Sequence, residues 1–548
     1  MLVLAAGCST DSGTDAGTDS GAYSEVAQYL RTSIRPLDVL IVSFDALRAD
    51  HLGVYGYPRR TSPNIDAFAR QALVFEDAWS AAPATPTSFA AAFTGKLPPR
   101  VFRRWQLVEG QTLAAAFAEA GYSTAFISNN IQLVPERGFD AGFEHYEMVV
   151  REPAPGSDGI GIGEDQQVLS AALDWISSLD GRPMFAWVHF LSPHSPYRAR
   201  PGSEHLFDTA YEGRFAETTG GRFTVSSAAE LARVRDLYDA GIFYGDRLFR
   251  QLLDGVAAQR GLERTLIVLT ADHGEELQDH GALQHEQLYR EVVRVPLIVR
   301  HPERTTLLRT DLPASNVDLA PTLAELAGLS WRATEDGVSW LGAVDRARVR
   351  VSIRMTGGPH AIAVQRGPLK ALLECAGPAS LFDLDADPAE LLDLATSAPS
   401  RHAEVMAAAA GALGGEPCDV VSAAATGDPT GGIDDSATID RLRALGYLEE
   451  AAVAEGEAPR LWAEPDPIVV CSVLGLGRTA IWFRGPPGEP LAIRVNAPDG
   501  PVMAEVANGG RVETGLWVTH QMRFYLVHRQ SGEVVAETQV RLTSEGCG

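Results

Sequence analysis

Between Asp38 and Leu329 the chain alternates short apolar runs with longer stretches of helical period. The runs are Val39–Phe44, broken only by Ser43, then Thr124–Ser128, Phe185–Phe190, Leu266–Thr270 and Pro296–Arg300. Runs this short and this uniformly apolar read as strands buried on both faces. The helix-like stretches are Gln111–Ala120, Val168–Leu179, Leu248–Arg260 and Asp318–Leu329, the last closed by Gly328. Such alternation predicts an α/β fold with a doubly wound, mostly parallel sheet over residues 37–345. Over 346–400 short alternating runs (Val349–Ile353, Ala361–Val364, Lys370–Leu373) predict a small antiparallel subdomain. Residues 401–456, rich in Ala, Gly and acidic groups, read as a helix and linker. From 457 to 548 β-like runs separated by Gly, Pro, Asn and Asp turns predict a C-terminal β-sandwich.

Polar residues end several of these runs. Asp45 stops the first, Asp272 and His273 stop the fourth, and His189 and His194 lie in and after the third. The carboxyl ends of parallel strands are where open α/β sheets bind ligands. Two carboxylates and an imidazole, Asp45, Asp272 and His273, suit one divalent cation (Ca, Mn, Mg or Zn) with positions left open for substrate. For each residue alone the competing reading is a helix cap or a packed loop side chain.

Composition narrows the partners. The 548 residues are 45% apolar and 21% charged, with a formal net charge of −25. That charge excludes a nucleic-acid backbone as the main partner. It leaves room for an anionic ester held locally by a metal. The start, MLVLAAGCSTDSG, resembles a bacterial lipobox ending at Cys8, although no Lys or Arg precedes it. A Ser/Thr/Gly/Asp stretch follows, so residues 1–36 read as a lipoprotein signal and flexible tether. The expectation is a cell-envelope protein joined to the membrane through lipidated Cys8, with Ser9 favouring the outer membrane. The other four cysteines, Cys375, Cys418, Cys471 and Cys547, are an even number compatible with disulfides, and Cys471 with Cys547 could tie a C-terminal domain. No later stretch reaches the roughly 20 apolar residues of a membrane span.

The opening segment DVLIVSFDALRADHLGVYG (38–56), with TSPNIDAFA (61–69), resembles the sulfatase branch of the alkaline phosphatase superfamily. HFLSPHSPY (189–197), YDAGIFYGD (238–246), TADHGEELQDHG (270–281), REVVRVPLIVR (290–300), VDLAPTLAELAGL (317–329), SLFDLDADPAELLDLA (380–395) and LRALGYL (442–448) follow in the family's order. The resemblance implies metal-assisted transfer of a sulfuryl or phosphoryl group.

It also exposes a departure. True sulfatases carry Cys or Ser, any residue, Pro, Ser, Arg, and then Thr-Gly, and the first residue matures to formylglycine. Counting back from Thr94-Gly95 puts that position at Thr85, with Thr87 in place of the Pro and Phe89 in place of the Arg. Threonine cannot yield the aldehyde, so no formylglycine is expected. Thr85 is placed instead as a direct nucleophile and metal-facing oxygen, at the N-cap of a helix whose first residue is Pro86. Relatives with Thr at this place include nucleotide pyrophosphatase/phosphodiesterases, phosphoethanolamine transferases and lipoteichoic-acid synthases. By the same resemblance His285 and His194 are catalytic candidates, and Asn129, Asn130 and His280 are substrate-binding candidates. Arg48 is expected to pair with a neighbouring carboxylate, and Asp246 to be structural. With Ser192 where the subgroup shows Asp, one metal is expected rather than two. The leading reading is a phosphoester or phosphodiester hydrolase or transferase. The alternatives are a sulfatase that works without formylglycine and a binding-only member, the latter disfavoured by intact Asp45, Thr85, Asp272 and His273.

Overall fold

The structure is a computed structural model. It describes residues 20–31, 33, 36–108, 110–149, 164–198, scattered positions between 200 and 219, 223–332, 336–356 and 359–425. In the C-terminal part it describes 459–464, 468–469, 479–484, 490–507, 509–513, 518–529 and 531–543. Cys8, Cys471, Cys547 and the linker 426–458 lie outside the described residues. The chain divides into two compact units, Met1–Tyr447 and Leu448–Gly548.

In the first unit the labelled elements run α1 (Ser20–Leu30), β1 (Asp38–Phe44), β2 (Leu73–Phe75), α2 (Thr85–Thr94), α3 (Leu113–Glu119), β3 (Ser123–Ser128), β4 (His145–Met148) and α4 (Asp165–Ser177). They continue with β5 (Met184–Phe190), α5 (Ala228–Gln259), β6 (Thr265–Ala271), β7 (Leu297–Arg300), β8 (Leu308–Thr310) and α6 (Leu319–Ala327). One eight-stranded sheet has the order β8-β2-β7-β6-β1-β5-β3-β4. Only β7 runs against its neighbours, β2 and β6. All seven residues of β1, β5 and β6 are buried, as the uniformly apolar runs require. Strand side chains and those of α2 to α6 form one hydrophobic cluster.

Helix ends follow local chemistry. Thr112 caps α3 by accepting from the Ala115 N–H, and Glu164 with Gln167 forms a capping box on α4. Helix α2 ends at Gly95, whose φ of 68° lies in the left-handed region. A Cβ there would sit 3.1 Å from Pro321 Cδ and 3.3 Å from the Val317 carbonyl oxygen, so Gly95 also permits a close approach of two segments.

Register decides what the sheet presents. Ser43 pairs with His189 and with Thr270, and Ser128 pairs with His189. The four adjacent parallel strands β6, β1, β5 and β3 therefore finish level. Their carboxyl ends deliver Asp272 and His273, Asp45, His189, and Asn129 and Asn130 to one edge of the sheet.

Beyond residue 345, β9 (Val349–Arg354), β10 (Ala361–Arg366), β11 (Leu369–Glu374) and β12 (Ala379–Asp383) pair antiparallel in sequence order. The fourth strand was not legible in the pattern. Helices α7 (Pro399–Leu413) and α8 (Pro417–Ala424) pack on this sheet in a second cluster containing Val351, Ile353, Val405 and Val421. A disulfide joins Cys375, just past β11, to Cys418 in α8.

The second unit holds a three-stranded sheet (Arg460–Glu464, Ala480–Arg484, Gly509–Glu513) and a four-stranded one (Val502–Ala507, Pro490–Val495, Arg523–His528, Val534–Gln539). Leu461, Ile481, Leu491, Ile493, Phe524 and Leu526 share its core. No helix among the described residues is long and apolar enough to cross a membrane.

Candidate active site

Thr85 opens α2 rather than capping it. The cap is Ala84, in extended conformation, and it makes no side-chain cap bond. The Thr85 hydroxyl is thereby released from the capping duty expected of it. Its Oγ1 lies 3.4 Å from His273 Nε2 and 3.4 Å from Asn130 Nδ2. Thr85 is 1% exposed, at the amino end of a helix whose dipole favours an anion there.

His273 is oriented from behind. Its Nδ1 lies 2.9 Å from the Gly274 carbonyl oxygen, which can only accept, so Nδ1 carries the proton. The neutral ring then turns a bare Nε2 lone pair toward Thr85. Burial pushes the His273 pKa down and keeps the ring neutral, although the Asp272 and Asp45 carboxylates pull the other way.

The two carboxylates are each divided in function. Asp45 Oδ2 accepts from Asn130 Nδ2 at 2.5 Å, while Asp45 Oδ1 is buried with no hydrogen-bond partner. Asp272 Oδ1 accepts from the backbone N–H of Ala46 (3.2 Å) and of His273 (2.9 Å), while Asp272 Oδ2 is buried with no partner. The two orphaned oxygens lie 3.6 and 3.5 Å from His273 Nε2. Three lone-pair donors thus converge in a buried place with no hydrogen between them. That is costly unless a cation is shared, and an O/O/N donor set suits the divalent ion expected there. Asp45, His189 and Asp272 also bring one donor atom each within 4.8 Å of one another. Burial works to raise the Asp45 carboxyl, but His194, His189 and His273 outweigh it and hold Asp45 well below the usual carboxylate range.

Three imidazoles form the wall above. The His273 and His285 ring centroids are 4.4 Å apart, His194 and His285 5.2 Å, and His194 and His273 6.5 Å. A two-stranded hairpin, Glu276–Leu277 with Leu283–Gln284, carries His285 into place. His285 Nδ1 lies 3.2 Å from Oε1 of the fully buried Glu275. Burial pushes the Glu275 carboxyl up to about 7, against the pull of His194 and His273. Nothing in the periodicity marked Glu275, whose only signal was adjacency to the Asp-His pair, whereas His189 was visible as a polar residue inside the third run.

The other candidates separate. Asn130 faces the carboxylate and Thr85, whereas Asn129 donates to Asp165 Oδ1 at 2.8 Å, and that Asp also accepts from the Leu191 and Ser192 N–H groups. His280 is employed away from the imidazole group, which corrects its assignment to substrate. Its Nδ1 lies 2.6 Å from Glu291 Oε1, its Nε2 3.1 Å from the Ala389 carbonyl oxygen, and its ring stacks on Tyr289 at 3.6 Å. Both ring nitrogens are taken by acceptors from the chain itself. Arg48 pairs with Asp50 and Asp279, both at under 3 Å between charged atoms (2.8 and 2.7 Å). Asp246 accepts from Asn64 and Ile65 N–H groups, a purely local role.

A mostly parallel sheet that gathers two carboxylates, an imidazole and a hydroxyl at its carboxyl edge defines an ester-transferring enzyme of the alkaline phosphatase superfamily. The sulfatase family profile matches residues 38–329, and the chain belongs to that family, whose members are ester hydrolases. It is 28% identical over 399 residues to choline-sulfatase of Rhizobium meliloti, covering 61% of this chain and 77% of that protein. The phosphonate monoester hydrolase of Agrobacterium radiobacter superposes with a TM-score of 0.56 at 19% identity, over 69% of this chain and 96% of the other. The structure of BT4656 in complex with its substrate D-glucosamine-2-N,6-O-disulfate superposes with a TM-score of 0.59 at 17% identity, over 68% of this chain and 96% of that one.

Proposed function

We propose that this sulfatase-family enzyme is a metal-dependent hydrolase of phosphate or sulfate esters that uses Thr85 as its nucleophile, with phosphodiesters or phosphoesters as the main substrates. The observation that carries this reading is the Thr85 hydroxyl beside the bare nitrogen of His273, at the end of a helix and next to two orphaned carboxylate oxygens. Asp45, Asp272 and His273 would hold one divalent cation, with Thr85 Oγ1 facing it. When bound, the cation lowers the pKa of a hydroxyl and polarises the ester.

The chain's own groups account for the remainder. With the cation held, the Thr85 hydroxyl would give up its proton to water; Oγ1 then attacks phosphorus (or sulfur), and the bond to the leaving oxygen breaks as the new bond forms. The amino end of α2 and the Asn130 amide stabilise the anionic group being transferred. His285, oriented by Glu275, gives a proton to the leaving oxygen, with His194 beside it. Water then splits the Thr85 ester and restores the hydroxyl. Sulfate monoesters and phosphodiesters both present a singly charged tetrahedral group, so one site can take either. The choline-sulfatase relative favours sulfate as the second reading. The substrate class is an anionic ester on a glycan, a lipid head group or a small molecule. We place the protein in the cell envelope, anchored through Cys8; the Cys375–Cys418 disulfide supports an oxidising compartment.

The test uses the purified full chain against nitrophenyl sulfate, a nitrophenyl phosphate monoester and a bis-nitrophenyl phosphodiester. Acid-quenched samples are then searched by mass spectrometry for a modified Thr85. The reading expects turnover highest on the diester, an adduct on Thr85, and loss of both in Thr85→Ala. Undiminished turnover in Thr85→Ala would overturn it.

A further inference from the structure

His189 also lies within ligand reach of the two carboxylates, yet the hydrogen bonds around it point to another task. The chain of contacts begins at Trp187. Its indole N–H is a donor only, and it lies 2.8 Å from Ser43 Oγ. That contact occupies a lone pair of Ser43 and leaves the hydroxyl proton to be placed. The acceptor at hand is His189 Nδ1, 2.9 Å from the same oxygen. A neutral imidazole that accepts at Nδ1 carries its proton on Nε2. The Nε2 side faces Asp45 Oδ2 across 3.5 Å, just short of a made hydrogen bond, and is otherwise without a partner, with both side chains fully buried. Asp45 Oδ2 is the oxygen already held by Asn130, and Oδ1 is the one left bare.

His189 and His273 are therefore opposites. A carbonyl fixes the proton of His273 on Nδ1 and bares its Nε2 toward the cation place. A hydroxyl that accepts from an indole and donates to Nδ1 would set the proton of His189 on Nε2. Phe89 packs edge-on to the His189 ring, with centroids 4.8 Å apart, and it occupies the position where the sulfatase signature has its Arg. The apolar side chain offers Asp45 no donor, and it leaves the ring room to do so.

We propose that His189 is a positioning residue and not a metal ligand. The relay Trp187–Ser43–His189 presents an N–H to Asp45 Oδ2, which turns Oδ1 toward the cation. Donors of this kind behind a ligand typically change metal affinity by roughly 10–100-fold. The inference rests on the cation reading above, but it concerns this chain's own protons and can be read without turnover.

The experiment has two arms on the full chain. In the first, the metal-free protein is labelled with 15N-histidine, and His189 is assigned by its disappearance in His189→Gln. Long-range proton–nitrogen spectra should show the proton on Nε2 and none on Nδ1. The opposite tautomer overturns the proposal, whether or not any metal binds. In the second arm Mn2+ is titrated by calorimetry. Glutamine keeps an N–H near the place of Nε2 but has no ring nitrogen to coordinate. His189→Gln should stay within about threefold of wild type, while His189→Leu, lacking the donor, should lose roughly 10–100-fold. Ser43→Ala, which keeps the ring but frees its tautomer, should lose affinity and show mixed protonation in the spectra. Equal loss in His189→Gln and His189→Leu would make the ring nitrogen a ligand, and no loss in His189→Leu would deny it a part; either refutes the proposal. A wild-type protein that binds no Mn2+ refutes the cation reading instead, and the tautomer arm still decides the relay.

Discussion

Replacing Glu276 by glutamine should make the protein more stable, and by an amount that grows with pH. Glu276 begins the hairpin that carries His285 and is 1% exposed. Its Oε2 accepts from the Glu286 N–H at 2.8 Å, but its Oε1 is buried with no partner. Burial pushes its pKa up from 4.5 to about 8, helped by Glu291 and only partly opposed by the backbone N–H groups. The sign follows from proton binding. Below pH 4.5 the carboxyl is neutral in both folded and unfolded chains, and its ionisation contributes nothing. Between about 4.5 and 8 the unfolded chain sheds the proton while the folded chain keeps it, so stability falls by about 1.4 kcal/mol per pH unit. Above about 8 both forms ionise and the loss levels off. From these two values the variant gains about 1 kcal/mol at pH 5, about 3 at pH 7 and about 5 at pH 9. These are upper limits, because water entry and relaxation around an ionised carboxylate reduce the penalty. The amide oxygen of glutamine keeps the bond to Glu286. Urea unfolding followed by circular dichroism at the three pH values reads the gain. Parallel stability profiles for the two proteins would refute the assignment of Glu276 as a buried neutral acid.

The Cys375–Cys418 bridge closes a loop with a sequence separation of 43. Loop-closure entropy for that length gives about 4 kcal/mol, so Cys375→Ser with Cys418→Ser should lower the unfolding midpoint in urea and expose α7 and α8 to limited proteolysis first. Ala46, whose φ of 57° is left-handed, follows Asp45 and donates its N–H to Asp272 Oδ1. Ala46→Gly should relieve strain of about 1 kcal/mol without loss of Mn2+ affinity, measured by calorimetry. Chelation should lower the thermal midpoint, and Mn2+ at 100 times its Kd should restore about 3 kcal/mol; Asp272→Asn should abolish that response.

Much of the sheet was legible because both faces of each central strand are buried, so the apolar run and the strand coincide. The runs Val39–Phe44, Thr124–Ser128 and Phe185–Phe190 fall within strands of the structure. The fourth antiparallel strand, Ala379–Asp383, was not, because Ala379, Ser380 and Asp383 leave too little alternation to read. The N-cap of α2 was displaced by one residue, since Thr85 and Pro86 satisfy the composition rule for cap and first turn while the backbone bends at Ala84. At the site, Asp45, Asp272 and His273 were legible because each interrupts an apolar run. His280 misled because it lies in the same motif, and only the fold shows Glu291 and the Ala389 carbonyl oxygen closing on it. Glu275 escaped because a buried acid next to a loop glycine has no periodic signal.

The same separation of roles explains how a threonine can stand where a sulfatase keeps its matured residue. On the proposed reading, a nucleophilic hydroxyl needs its proton loosened and its anion tolerated, and the surroundings of Thr85 would serve both demands without modification. Thr85 sits at a helix amino end, within 3.4 Å of a bare imidazole nitrogen and of an amide donor. None of these groups depends on the Pro and Arg that the maturation signature requires. With Thr87 donating its hydroxyl back to the Ala84 carbonyl oxygen at 3.0 Å, and Phe89 packed against His189, those two positions have passed to local structure. A cysteine at 85 would therefore enter a site whose flanks no longer carry the signature, and it would remain a thiol. Phe89 leaves the Asp45 side of its own position without a donor, and the groups facing Asp45 Oδ2 come from neighbouring strands: the Asn130 amide at 2.5 Å after β3, and the His189 ring, which the register of β5 against β1 places 3.5 Å away.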